Sequence, residues 1–124
     1  MSLLFKPHHI PLIRDGTKIA TRRVWADNYP RPNLGTVRGA ITEMFTPKEE
    51  IDCWIRITGH YREPLGAMAD SDYEAEGGYS REEFEQVWRD INGEYDPTQV
   101  VDVVEFRYEG RTPNGAKSDG DTNG

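Results

Sequence analysis

The chain has little of several things, and each shortage narrows what it can be. Among its 124 residues there is one cysteine, Cys53. An internal disulfide and a multi-cysteine zinc site are therefore excluded. Its three histidines include the neighbours His8 and His9, which face different ways and have no third ligand close in sequence, so no metal site is expected. No apolar run approaches the length needed to span a bilayer. The opening residues lack the apolar stretch and small-residue cleavage site of a secretory signal. A cytoplasmic protein without a cofactor is expected. Lysine is scarce, four against eleven arginines, and acids outnumber bases 22 to 15 for a net charge of −7. An acidic, lysine-poor surface suits a high-salt cytoplasm, where repulsion between carboxylates is screened.

The length fits one domain with one compact core. Its charge is unevenly spread. Residues 1–48 hold eight Lys/Arg against three acids, whereas residues 49–109 hold five arginines against seventeen acids. The densest cationic stretch is Gly16-Thr17-Lys18-Ile19-Ala20-Thr21-Arg22-Arg23-Val24-Trp25. If an anionic ligand meets the chain, it meets it here. The plain alternative is a half-exposed strand with a solvated basic face.

In order, residues 2–5 predict a strand, and residues 8–15 a short helix with Pro11 near its first turn and Gly16 at C′. Residues 17–25 predict a strand, residues 27–35 a loop, and residues 36–45 a second β segment. Residues 51–61 give the clearest alternation: Ile51, Cys53, Ile55 and Ile57 on one face, with Asp52, Trp54, Arg56 and Thr58 on the other. Cys53 reads as a small core residue. A turn is expected at residues 62–66. Ser71-x-x-Glu74 and Ser80-x-x-Glu83 both have capping-box form. The first opens a single turn ending at Gly77-Gly78. The second opens a helix to about Ile91, with Phe84, Val87, Trp88 and Ile91 as its core stripe. Residues 100–108 close the fold as a strand. A domain over residues 1–109 and a disordered tail over 110–124 are expected. The edges of so few strands need closing, which suggests an α+β fold: a small mixed barrel of five to six strands, with a short N-terminal helix and one longer helix near the C-terminus.

Gly16-x-Lys18-x-x-Thr21-x-Arg23 resembles the G-x-K-x-x-T-x-R motif of the ASCH domain, a relative of the PUA domain. The likeness continues through Ile57-Thr58-Gly59, Tyr61-Arg62, Glu76-Gly77-Gly78-Tyr79-Ser80, the Phe84…Trp88 helix and Val103-Val104-Glu105-Phe106. It covers residues 3–108 and suggests a small, archaeal-type, single-domain member. The resemblance implies a PUA-like β-barrel with a cleft beside the motif, and binding of RNA or nucleotides. Some bacterial proteins of this kind are amidohydrolases that deacetylate N4-acetylcytidine with a Lys, a Thr and a Glu. Those roles would fall here on Lys18, Thr21 and Glu76.

A threonine hydroxyl needs a base to become a nucleophile, and a lysine serves if burial or nearby cations lower its pKa. Arg22 and Arg23 are such cations. In a regular strand, however, Lys18 and Thr21 point to opposite faces. They converge only if Lys18 lies in the loop before the strand or a bulge intervenes. Gly77-Gly78 leaves Glu74 as an alternative to Glu76, and Glu76 itself could be a solvated helix-end carboxylate. For binding, Lys18, Arg22 and Arg23 would contact phosphate, Thr21 or Thr17 would add a hydrogen bond, and Trp25, Tyr29 or Tyr73 would stack on a base. The alternative for Trp25 is a place in the core. With no long basic stripe, one nucleotide or a short single strand is the expected partner. Three functions stay open: RNA or nucleotide binding, hydrolysis of an acylated cytidine, and regulation through a protein partner on the acidic face.

Overall fold

The computed structural model describes residues 2–113. Five strands and three helices follow in the order β1 (Ser2–Leu4), α1 (His9–Arg14), β2 (Ala20–Arg23), β3 (Val37–Ile41), β4 (Trp54–Pro64), α2 (Asp70–Gly77), α3 (Arg81–Asn92) and β5 (Val100–Gly110). The strands form one mixed sheet in the order β1-β3-β4-β5-β2, in which only the β1–β3 pair is parallel. β1 and β2 are therefore opposite edges. Yet Nη2 of Arg23 on β2 donates to the carbonyl of Leu4 on β1 at 2.7 Å. The sheet curls until its two edges lie within one side chain of each other. That is the expected small barrel, open along a single seam.

Inside the curl, Leu3, Phe5, Ile13, Cys53, Ile55, Ile57, Val104 and Phe106 form the main core, with Phe5 set edge-on against Phe106. A second cluster, Leu65, Met68, Tyr73, Phe84, Trp88 and Val101, packs α2 and α3 onto the outer face. Burying an aliphatic or aromatic side chain of this kind stabilises by about 1.5–3 kcal/mol.

Several elements depart from the expectation. The basic strand is only four residues long, because residues 17–19 are tied elsewhere. The Lys18 amide donates to Leu12 O, the Ile19 amide donates to Ala75 O, and Ile19 O accepts from the Phe106 amide. β4 runs on to Pro64 where a turn was expected, and it is followed by a single 3-10 turn at Leu65–Ala67. Its register with β5 shifts between Ile57 and Gly59. The extra residue, Thr58, exchanges the faces. Ile55 and Ile57 point into the core, while beyond the shift His60 and Arg62 turn towards Asp102.

α2 starts earlier than Ser71. The Asp72 carboxylate accepts from the Ala69 amide at 2.8 Å, so the helix is anchored there and Ser71 lies inside it. The Ser80 capping box forms as expected, with the Glu83 amide donating to Ser80 Oγ at 3.1 Å and the Ser80 amide donating to the Glu83 carboxylate at 2.8 Å. Gly16 takes φ +85° just past the C-terminal end of α1, and Pro11 sits in the first turn, where its missing N–H costs nothing. Gly110, placed in the tail by sequence, still belongs to β5. The expectation of disorder over residues 114–124 falls outside the described residues.

Candidate functional site

The open seam of the barrel is also the mouth of a cavity of about 490 Å³. β1 and the start of α1 bound it on one side, β2 on another, and α3 on a third. Its polar wall carries His9, Lys18, Thr21, Arg23, Glu76 and Tyr79; Phe5, Phe84, Val87, Trp88 and Ile91 supply an apolar wall.

Lys18 is 2% exposed. It precedes β2, so it escapes the alternation that would set it opposite Thr21, and both line the cavity. Its Nζ donates to Glu76 O at 2.6 Å and to Ala20 O at 2.9 Å. Glu76 lies in the last turn of α2, so the ammonium caps the carbonyl end of that helix. The Glu76 carboxylate stands 3.9 Å from the same nitrogen. Burial lowers the Lys18 pKa from 10.5 to about 8; the Glu76 carboxylate opposes the shift, and Arg23 and Arg22 add to it.

Thr21 is buried, and its Oγ1 accepts from Arg23 Nε at 3.0 Å. That contact occupies a lone pair and leaves the hydroxyl proton to be donated. Arg23 thus serves both the seam and the threonine. Burial lowers its own pKa, and its guanidinium lies 5.0 Å from the centre of the Phe5 ring.

Arg22 is not a free phosphate ligand. Its side chain is 1% exposed; Nη1 donates to Glu76 at 2.9 Å, Nη2 to Glu63 at 3.1 Å, and Asp72 lies 3.9 Å away. Thr58 at the β4 register shift is what turns Glu63 to this face. Arg22 lines the same cavity and holds Glu76 in place there. Glu76 is 5% exposed, whereas Glu74 faces solvent, so Glu76 is the carboxylate that meets Lys18.

The aromatic residues expected to stack on a base are elsewhere. Tyr73 is 5% exposed within the α2–α3 core against Phe84. Trp25 stacks on Tyr29 at 4.9 Å, under the Arg31 guanidinium, outside the cavity. On the cavity wall stand instead two residues to which the sequence gave no binding role. His9 Nε2 and the Tyr79 hydroxyl are 2.8 Å apart on the cavity wall. Burial is the largest cause that lowers the His9 pKa to about 3, followed by Lys18, His8 and Arg23, so the ring is neutral at ordinary pH. The two residues are seventy positions apart, and no local pattern joins them. Gly77, at φ +156°, makes room for the pair: a Cβ there would lie 3.0 Å from the Tyr79 ring and 3.4 Å from His9 Nε2.

A second polar cluster, also unforeseen, sits away from the cavity. Asp102 is fully buried and accepts from Arg31 through both oxygens at 2.9 Å, and His60 Nε2 lies 2.7 Å from it. Arg31 Nη1 also donates to the carbonyls of Ala26, Asp27 and Tyr29. The cluster fastens the loop after β2. Among the described residues no group of acidic, histidine or cysteine side chains could hold a metal ion, and no helix is long and apolar enough to cross a membrane.

The chain has the fold of the ASCH domains. A crystal structure of an ASCH domain from Lactobacillus crispatus JV V101 matches with a TM-score of 0.67 at 15% identity, covering 80% of this chain and 69% of that one. ASCH from Zymomonas mobilis matches at 0.58 and 15%, over 94% and 76%. A protein from Enterococcus faecalis V583 of the DUF984 family matches at 0.60 and 19%, over 82% and 69%. At these identities the likeness defines the fold. No protein-family model matches the sequence, and no curated protein matches it.

Proposed function

We propose that this protein binds a single nucleoside, or one unpaired nucleotide of an RNA, in the Lys18 cavity. One observation carries the reading: a cavity of about 490 Å³ in which an aromatic and aliphatic wall faces a wall of closely set hydrogen-bonding groups. A flat, apolar-faced base with polar edges suits such a space. The RNA relationship of the PUA-like superfamily supports the same class of ligand. Phosphate plays a small part, because Lys18 and Arg22 are buried and engaged with Glu76. Cytidine titrated into the protein by calorimetry tests this. The expected result is saturable binding that weakens in Tyr79→Phe and loses less than tenfold between low and high salt. A steep salt dependence, of the kind produced by release of many counterions, would instead point to an extended phosphate contact and overturn the single-base reading.

A second reading is favoured by Lys18 itself. A lysine whose pKa falls to about 8, on the same cavity wall as a threonine whose oxygen is already held by Arg23, is the arrangement for nucleophilic amide hydrolysis. Neutral Lys18 takes the Thr21 proton as Oγ1 attacks the acyl carbon of an N4-acylated cytidine. The C–N bond then breaks, and the proton passes to the departing amine. Water cleaves the resulting ester, giving carboxylate and free Thr21. Glu76 holds the lysine and can accept a hydrogen bond from the exocyclic nitrogen. The test is release of cytidine from N4-acetylcytidine, which should rise with pH to a plateau above about 8 and vanish in both Lys18→Ala and Thr21→Ala. Turnover surviving either substitution would remove this reading and leave binding.

A further inference from the structure

The mouth of the cavity is marked by Val24 and Ile91, which line it and are 52% and 55% exposed. From Val24 the chain runs directly into the loop after β2, which carries two aromatic rings. Trp25 is half-buried against the main core, and Tyr29 is 41% exposed. Their rings stack at 4.9 Å with 26° between the planes, and the Arg31 guanidinium lies 5.8 Å from the centre of the Trp25 ring.

An exposed aromatic residue in a surface loop ordinarily sits on a mobile backbone. Tyr29 is held at both of its backbone polar groups. Its amide donates to Ala26 O at 3.0 Å, and its carbonyl accepts from Arg31 Nη1 at 2.6 Å. Arg31 is anchored in turn by both oxygens of the fully buried Asp102. A line of support thus runs from a buried carboxylate to a ring that buries little of itself. Such a ring loses little freedom when a second flat group is laid on it.

The ring also stands beside the site. The Tyr29 hydroxyl is among the groups that act on the Arg23 guanidinium, and Arg23 lines the cavity. Val24 and Trp25 are consecutive, with α-carbons about 3.8 Å apart. Lys6 lines the same cavity and is exposed, where it can meet a phosphate that joins one nucleotide to the next.

We infer that Tyr29, backed by Trp25, is a stacking platform for the base adjoining the cavity's nucleotide in a single strand, so that the protein engages two consecutive nucleotides. The inference rests on the cavity being the ligand site. Every base has a π-face, so the platform responds to the presence of a neighbour more than to its identity.

The experiment compares two dinucleotides with their matching monophosphates by calorimetry: CpA with cytidine 3′-phosphate, and ApC with cytidine 5′-phosphate. One dinucleotide should bind about fivefold or more tightly than its monophosphate. The gain should survive in Tyr29→Phe and disappear in Tyr29→Ala, with the monophosphate affinity unchanged in both. Neither substitution touches the backbone bonds of Tyr29, so the fold should tolerate them, and circular dichroism checks that it does. Dinucleotides that bind no more tightly than the monophosphates overturn the platform and leave the cavity reading standing. A gain that persists in Tyr29→Ala, or a loss that falls equally on the monophosphate, overturns the platform as well. Binding of none of the four compounds overturns the cavity reading and the platform with it.

Discussion

Arg22 Nη1 donates to Glu76 Oε2 at 2.9 Å, across fifty-four residues of sequence and with both side chains withdrawn from solvent. The pair joins β2 to the last turn of α2, and Glu76 in turn faces Lys18. Position and charge at the cavity wall thus depend on an arginine whose own charge is spent on carboxylates. Arg22 Nε has no partner, so the guanidinium is not fully satisfied even here.

Removing one member of a buried ion pair leaves an uncompensated charge, at a cost of about 3–5 kcal/mol. Arg22→Leu strands both Glu76 and Glu63 and should lower stability by about that much in urea unfolding. Arg22→Lys keeps a charge but loses the fork that reaches both acids, and should fall in between. A change below about 1 kcal/mol in Arg22→Leu would show that the network is slack.

Acid should destabilise the protein through His9. The unfolded histidine takes up its proton near pH 6.5, whereas the folded one does so only near 3. Between those values the unfolded state holds more protons, so stability falls as pH drops through the window. His9→Gln retains a partner for the Tyr79 hydroxyl without this titration. The slope of stability against pH should be shallower there by up to about 1.4 kcal/mol per pH unit. Equal slopes in the two proteins would mean that His9 is protonated in the fold.

Asp102→Asn should loosen the loop after β2 without touching the cavity. It weakens the hold on Arg31, whose remaining bonds go to the loop's own carbonyls. Trp25, stacked on Tyr29 in that segment, should become more exposed, which a red shift in tryptophan emission would report. Unchanged emission and unchanged amide exchange over residues 26–31 would assign the loop's order to other contacts.

Ser80→Ala removes the acceptor for the Glu83 amide at the start of α3. The expected loss is about 1 kcal/mol, read as a lower midpoint in urea. Because α3 provides the apolar wall of the cavity, ligand affinity should weaken modestly as well.

The sequence by itself determined the elements whose causes are local. Gly16 ends α1 because its backbone can take positive φ, Ser80 with Glu83 opens α3, and the alternation of Ile55 and Ile57 sets the inner face at the start of β4. The cationic stretch before and within β2 was legible too, and with it the candidates Lys18 and Thr21, which the structure sets along one cavity. Tertiary structure decided what those residues meet. Lys18 lines the same cavity as Thr21 because bonds to Leu12, Ala75 and Phe106 keep residues 17–19 out of the strand. One extra residue at Thr58 turns Glu63 towards Arg22 and His60 towards Asp102, and alternation alone carries no sign of such a shift. Arg22 looked like a phosphate ligand because its charge is visible in the sequence, while the three carboxylates around it come from β4 and α2. Tyr73 looked like a stacking platform and is core, and Ile91 looked like core and stands at the mouth of the cavity. Helical spacing fixes which side chains share a stripe. How far along that stripe the neighbouring strands reach is decided by how tightly the sheet curls, and here it stops one seam short of closure.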